Sequence, residues 1–221
     1  MNDAVSLHSI EAVRWESNYK KKEFALRKNV LHDLLADHDL GGQRWLDAGC
    51  GTGSLARLLA EEKGCHVLGV DASPEMISNC QPFPNTEYRR VPDLCETGLG
   101  DAAFDGVLCS SVIEYVASPP AALAEMRRLI KPNGLLLVSV PNSDLWAWWP
   151  ALTLYWLTRG LGRWRLHRYL DYSKHRYSDA AFRRLLEGAG FRVEASRTYG
   201  GVRGFPALGH GTLMMFRAVR V

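Results

Sequence analysis

Leu46-Asp47-Ala48-Gly49-Cys50-Gly51-Thr52-Gly53, followed by Val67-Leu68-Gly69-Val70-Asp71, is the stretch that decides how the rest of the chain is read. The order is strand, glycine-rich turn, helix, second strand, and a carboxylate at that strand's tip. Alternating glycines let the backbone turn tightly and approach a ligand more closely than a β-carbon permits. Asp71 follows them by about 20 residues, the spacing at which an open α/β sheet offers an acid to a ribose diol. The pattern implies a nucleoside-containing cofactor.

Outward from this stretch, apolar spacing predicts one or two helices over residues 10–38, through Trp15, Tyr19, Phe24, Val30, Leu31, Leu34 and Leu35. Gly41-Gly42 ends that region. Strands are expected at Arg44–Asp47, Cys65–Val70, Thr86–Val91, Phe104–Cys109 and Leu135–Val140, with helices at Ser54–Lys63, from Ser73-Pro74-Glu75 onward, and at Pro119–Ile130. Lys131-Pro132-Asn133-Gly134 reads as a turn. Helix Asp179–Ala189 and strands near Phe191–Ser196 and Leu213–Val219 complete the chain. Regular β-α alternation predicts an α/β fold: a Rossmann-like, doubly wound, seven-stranded, mostly parallel sheet with an antiparallel edge. A helical lid insertion interrupts it.

The 221 residues are 47% hydrophobic and 23% charged, which fits a single globular domain. Within it we distinguish an N-terminal helical cap (1–42), a cofactor-binding core (43–142), a lid or acceptor insertion (143–177), and a C-terminal helix with strands (178–221). A net charge of +3 is too small to argue for nucleic acid. The 5 cysteines form no C-x-x-C pair, so reduced thiols, no metal and a cytoplasmic setting are expected. The N-terminus lacks the order of a signal peptide. No apolar run reaches the roughly 18 residues that span a bilayer.

The glycines test which nucleoside cofactor fits. A nicotinamide fingerprint is G-x-G-x-x-G, whereas Gly49, Gly51 and Gly53 give G-x-G-x-G and position 54 is Ser. Asp47 just before the glycines is a poor neighbour for pyrophosphate, which needs the positive helix end. A carboxylate there suits a ligand carrying an ammonium and a sulfonium. With Gly69-Val70-Asp71-Ala72-Ser73-Pro74-Glu75-Met76, Phe104–Glu114 and Lys131–Asn142 in order, the chain resembles the class I S-adenosylmethionine-dependent methyltransferases. Within them it looks like the group of ubiquinone-biosynthesis O-methyltransferases and other small-molecule enzymes. The resemblance covers residues 44–142 strongly and 175–195 weakly.

The resemblance implies roles. Gly49, Gly51 and Gly53 would face the methionine part of S-adenosyl-L-methionine, with Asp47 near its ammonium. Asp71 would hold both ribose hydroxyls. Ala72 and Met76 would pack on the adenine, and Asp93 with the Leu94 amide would read its amino edge. Ser110 and Ile113 would lie under the methionine and sulfonium, and Arg27 would meet the cofactor carboxylate. Plainer readings stand beside these: core packing for Met76, an ordinary loop acid for Asp93, a solvated helix charge for Arg27. Relatives often carry histidine where Tyr115 stands. A tyrosine, with a reference pKa of about 10, is a poor base near neutrality and serves equally to bind substrate or to pack.

Methyl transfer is an in-line displacement that needs alignment and desolvation, plus a base only for a neutral hydroxyl or protonated amine. His175 leads the candidates, ahead of His167, His210, Tyr177 and Tyr115; a surface or capping histidine is the plain alternative. Trp146, Trp148, Trp149 and Trp156, followed by Arg159, Arg163, Arg165 and Arg168, mark the insertion. It suits a lid over a small aromatic or lipid-like acceptor, with oxygen preferred to nitrogen. It equally suits a helix packed on the core or on a homodimer partner, or a peripheral membrane contact through 145–168. No nucleic-acid partner is expected, because Cys109-Ser110-Ser111-Val112 stands where base-methylating enzymes carry an Asn/Asp-Pro-Pro-aromatic motif. The remaining alternatives are a dehydrogenase, and a cofactor-binding subunit that activates a partner without turning over.

Overall fold

The computed structural model describes residues 22–144, 174–200 and 212–221, together with 153 and 157. The N-terminal part of the first helical region, nearly all of the insertion, and both His167 and His210 lie outside the described residues. Among the described residues no helix is long and apolar enough to cross a membrane.

Among the described residues, helices α1 (Lys22–Leu34), α2 (Ser54–Lys63), α3 (Pro74–Ser78), α4 (Pro119–Leu129) and α5 (Asp179–Gly188) accompany seven strands. The strands are β1 (Arg44–Ala48), β2 (His66–Asp71), β3 (Thr86–Arg90), β4 (Phe104–Ser110), β5 (Ile130–Pro141), β6 (Phe191–Tyr199) and β7 (Leu213–Arg220). They form one sheet in the order β3-β2-β1-β4-β5-β7-β6. The first five pair in parallel; β7 runs antiparallel to both β5 and β6. The two late strands therefore make the expected antiparallel edge, with β7 inside and β6 outermost.

The apolar strands read as continuous runs because both sheet faces are covered. Side chains alternate between two cores. Leu46, Val70, Val107, Cys109, Val138 and Val140 point to the face covered by α4 and α5, where Leu123, Met126, Phe182 and Leu186 are buried. Trp45, Val67, Leu108 and Leu137 point to the face covered by α1 and α2, against Leu31, Leu34, Leu35, Leu55 and Leu59. Each such fully buried aliphatic side chain contributes roughly 1.5–3 kcal/mol. Three helices start where a hydroxyl accepts from an orphan amide, whereas α2 starts at Gly53 with no side-chain cap. Ser73, Ser118 and Ser178 each cap a helix by accepting from the amide three residues on.

One expected element changes character. The turn at Lys131-Pro132-Asn133-Gly134 is absorbed into β5 as a bulge: Ile130 pairs with Phe104 and Leu135 with Gly106, leaving 131–134 opposite Asp105. Asn133 has φ 62, the left-handed shape that asparagine tolerates. Lys131 Nζ closes the bulge on Asp105 Oδ1 at 2.6 Å. Helix α4 runs almost directly into the strand, so a separate turn is not needed.

β1 and β4 lie at the centre of the sheet, and Trp45 sits in register with Gly106. A β-carbon at Gly106 would lie 2.5 Å from the Trp45 ring, so the indole occupies the space that glycine leaves. Gly106→Ala is expected to lower stability by about 1–3 kcal/mol. Gly188→Ala, on a helix with nothing within 4 Å of its would-be β-carbon, should be neutral or stabilising by up to about 1 kcal/mol. Urea midpoints of the two variants check both signs.

Candidate active site

The strand order reverses at β1, with β2 on one side and β4 on the other. A crevice opens beyond the carboxyl ends of strands at such a switch point. The loop Gly49–Gly53 follows β1 at that switch point. Gly49 and Cys50 both donate their amides to the Val70 carbonyl, at 2.7 and 2.9 Å, which pins the loop to β2. Gly49 and Gly53 adopt φ 83 and 78, backbone that disfavours any other residue. The space above their α-carbons is already taken: a β-carbon on Gly49 would strike Val112, and one on Gly53 would strike the Tyr88 ring. Tyr88 also donates its hydroxyl to the Gly53 carbonyl at 3.4 Å. These two glycines admit close protein packing, so the sequence-based assignment of all three to the cofactor is incomplete as an account of why they are glycine.

Asp71 ends β2 with its carboxylate shared between two backbone amides. Oδ2 accepts from Gly51 and Oδ1 from Ser73, each at 2.9 Å. A carboxylate offers about four lone-pair positions, so this geometry leaves capacity for two more donors. It fixes the carboxylate's orientation before a ligand arrives.

Two further carboxylates are buried here. Asp47 and Glu114 are 1% and 3% exposed, and Asp47 Oδ2 and Glu114 Oε2 have no hydrogen-bond partner among the described residues. Burial raises the Asp47 carboxyl to about 7, reinforced by the charge of Asp71 and opposed by the Ala56 amide and Arg27. Burial likewise raises Glu114 to about 7, opposed by its own backbone amide and Arg27. Arg27 on α1 influences both acids and donates Nη2 to Ser111 Oγ at 3.1 Å. The Thr52 hydroxyl is also buried without a partner among the described residues. Unpaired buried polar atoms are costly, and two of them, Asp47 Oδ2 and Thr52 Oγ1, lie in or next to the glycine loop, which makes it a candidate ligand site.

The remaining candidates divide. Ala72 is half-buried; its carbonyl accepts from Arg90 Nε at 3.3 Å. Met76 is buried inside α3, and Leu94 is buried beneath the loop after β3. Asp93 is exposed and turns back to accept from the Cys95 amide at 2.8 Å. Ser110 is buried at the tip of β4, its hydroxyl 3.4 Å from that of Ser139. Ile113 is completely buried in the core under α4 and α5. The segment before α5 lies along the loop after β4: Lys174 donates its amide to the Glu114 carbonyl, and His175 Nε2 meets the Val116 carbonyl at 3.2 Å. Since a carbonyl only accepts, that bond holds the proton on Nε2 and leaves Nδ1 as acceptor. Half-buried Tyr115 lies in the same loop, its amide on the Val112 carbonyl. Tyr177 belongs to the core instead, its ring 5.1 Å from Phe182.

Glu114, Thr52, Ser111 and Ser139 were not singled out from sequence. Ser139 did carry a signal, as the one hydroxyl inside the apolar run Leu135–Val140. Glu114 closed a quoted motif, but only its burial shows that its charge is unsatisfied.

A family model described as a methyltransferase domain matches residues 19–196. The chain is 32% identical over 192 residues to a ubiquinone biosynthesis O-methyltransferase of Xylella fastidiosa, spanning 81% of this chain and 74% of that one. It is 36% identical over 118 residues to a malonyl-[acyl-carrier protein] O-methyltransferase of Serratia marcescens, covering 52% of this chain and 45% of the relative. Its fold matches an S-adenosylmethionine-dependent methyltransferase of Thermotoga maritima with a TM-score of 0.73 at 18% identity, covering 96% and 98% of the two chains. With the glycine loop, the Asp71 tip and the seven-stranded order in place, these matches make the chain a member of the S-adenosylmethionine-dependent methyltransferase family.

Proposed function

We propose that the protein transfers a methyl group from S-adenosylmethionine to a hydroxyl of a small, aromatic or lipid-like acceptor. The observation that carries the cofactor part is a pre-oriented Asp71 carboxylate with spare acceptor capacity, close to a buried Asp47 whose Oδ2 has no partner among the described residues. In this reading Asp71 holds the ribose diol and Asp47 the ammonium. Arg27 reaches the carboxylate, Ala72 and Met76 back the adenine, and Ser110 lines the methionine side. When bound, the cofactor supplies a methyl carbon activated by its sulfonium. The chain's own residues hold it in line with the acceptor and exclude water. Preference for oxygen is supported by the relatives named as O-methyltransferases, which also favour turnover over a purely activating subunit. The aromatic or lipid-like class rests on the tryptophan and arginine content of the insertion.

His175 takes the acceptor's proton in this reading. Its Nε2–H is tied to the Val116 carbonyl, so Nδ1 is the basic atom. Tyr115, in the adjoining loop, binds or packs the acceptor. With a panel of phenolic acceptors, His175→Gln is expected to lower kcat about 100-fold while leaving S-adenosylhomocysteine affinity intact. Equal loss of both would remove His175 from the proton step.

Calorimetric titration tests the cofactor directly. Wild-type protein should bind S-adenosylmethionine and S-adenosylhomocysteine, and Asp71→Ala should weaken both by roughly 10–100-fold. A folded wild type that binds neither contradicts the proposal.

The raised carboxyl of Asp47 sets a pH signature. An ammonium needs the ionised acid, and burial keeps Asp47 half-protonated at about pH 7. Affinity for S-adenosylhomocysteine should rise roughly tenfold between pH 6 and pH 8 and then level. Stability moves oppositely. The folded pKa lies above the ordinary 3.8, so this group's contribution is full below about pH 4 and is lost as pH rises through 7. Asp47→Asn should flatten the affinity profile and raise the melting temperature of the ligand-free protein above pH 7.

A further inference from the structure

Ser111, the first residue beyond β4, has φ 58. This left-handed backbone costs a serine more than a glycine and persists only where neighbours enforce it. Two side chains grip the residue from opposite directions. Ser139 Oγ accepts from the Ser111 amide at 2.8 Å, and Arg27 donates to the Ser111 hydroxyl at 3.1 Å. Ser139 is fully buried on β5, in register with Ser110 and among Leu136, Leu137, Val138 and Val140. A hydroxyl in such a strand does nothing for packing that alanine could not do. Its one strong bond is to the Ser111 amide, which has left the β4 ladder and needs an acceptor. The 3.4 Å contact with Ser110 Oγ is longer and weaker.

The consequence reaches the glycine loop. Val112 follows Ser111 and stands directly over Gly49, so closely that any β-carbon there would meet its methyl at 2.3 Å. The Tyr115 amide closes on the Val112 carbonyl at 2.9 Å, which turns the loop back toward Glu114 and His175. The direction in which the chain leaves β4 therefore sets both the spacing between Val112 and the glycine loop and the lie of the acceptor side.

We propose that Ser139 is a positioning residue for the cofactor: its hydroxyl enforces the left-handed turn at Ser111, which places Val112 over Gly49 and so sets the width of the crevice at its methionine end. This rests on the cofactor reading above. Ser139 touches no ligand; it acts through Ser111.

The test is calorimetric titration of S-adenosylhomocysteine into the full chain and its variants, with circular dichroism and thermal melts confirming the fold. Ser139→Ala should weaken binding about tenfold, the scale of one lost well-made hydrogen bond. Ser139→Cys, close in volume but a poor acceptor, should weaken it similarly and covers the case in which alanine fails to fold. Rescue is decisive. Glycine adopts φ 58 without strain, so adding Ser111→Gly to Ser139→Ala should restore affinity to within about twofold of Ser111→Gly alone. A merely structural role would lower the melting temperature and leave affinity unmoved. Wild-type affinity in folded Ser139→Ala and Ser139→Cys, or no rescue by Ser111→Gly, overturns the proposal. Absence of binding by the wild type overturns the cofactor reading itself, and this proposal with it.

Discussion

The carboxylate of Asp71, shared between the amides of Gly51 and Ser73 at 2.9 Å, is the contact on which the site depends. It joins three pieces of chain that are separate in sequence: the glycine loop after β1, the tip of β2, and the N-terminus of α3. Without an acceptor at this point the Gly51 amide would point at an empty crevice and the loop would have no fixed height. Charge-assisted bonds of this kind are roughly twice as strong as neutral ones, which suits a residue that has to hold a backbone still. The same bonds orient the carboxylate so that its remaining lone pairs face outward.

Against that ordered acid stand two disordering ones, in the electrostatic sense. Asp47 and Glu114 are buried beyond the reach of water, and each has an oxygen without a donor among the described residues. Their carboxyls rise to about 7 because Arg27 only partly offsets the loss of solvent. A fold under selection for stability alone would replace them with amides or apolar groups. Groups so costly to bury concentrate at functional sites more often than in ordinary cores, and in the proposed function Asp47 meets the cofactor's ammonium. Stability and function pull in opposite directions at these positions.

Most of the architecture was legible in the chain. Strand tips and glycines are local features, and each continuous apolar run marks a strand covered on both faces. The places of Asp47 before the glycine loop and of Asp71 at the tip of β2 were legible for the same reason: each stands at a fixed distance from the glycines. What escaped depends on contacts between distant segments. The bulge at 131–134 requires knowing that Ile130 and Leu135 both pair with β4. Ser139 gains its meaning only from Ser111, which lies 28 residues earlier and has a backbone shape that no propensity predicts. Glycine was read as room for a ligand, whereas Gly49 and Gly53 also make room for Val112 and Tyr88. Ile113, expected beneath the cofactor, is sealed in the core, and Asp93 is occupied with its own loop.

A crystal structure of the protein with S-adenosylhomocysteine is the measurement that tests this account most directly. Both ribose hydroxyls should lie within about 3.2 Å of the Asp71 carboxylate, with the bonds to Gly51 and Ser73 kept and the ammonium on Asp47. A ligand bound elsewhere, or one in the crevice whose ribose and ammonium make neither contact, would contradict it.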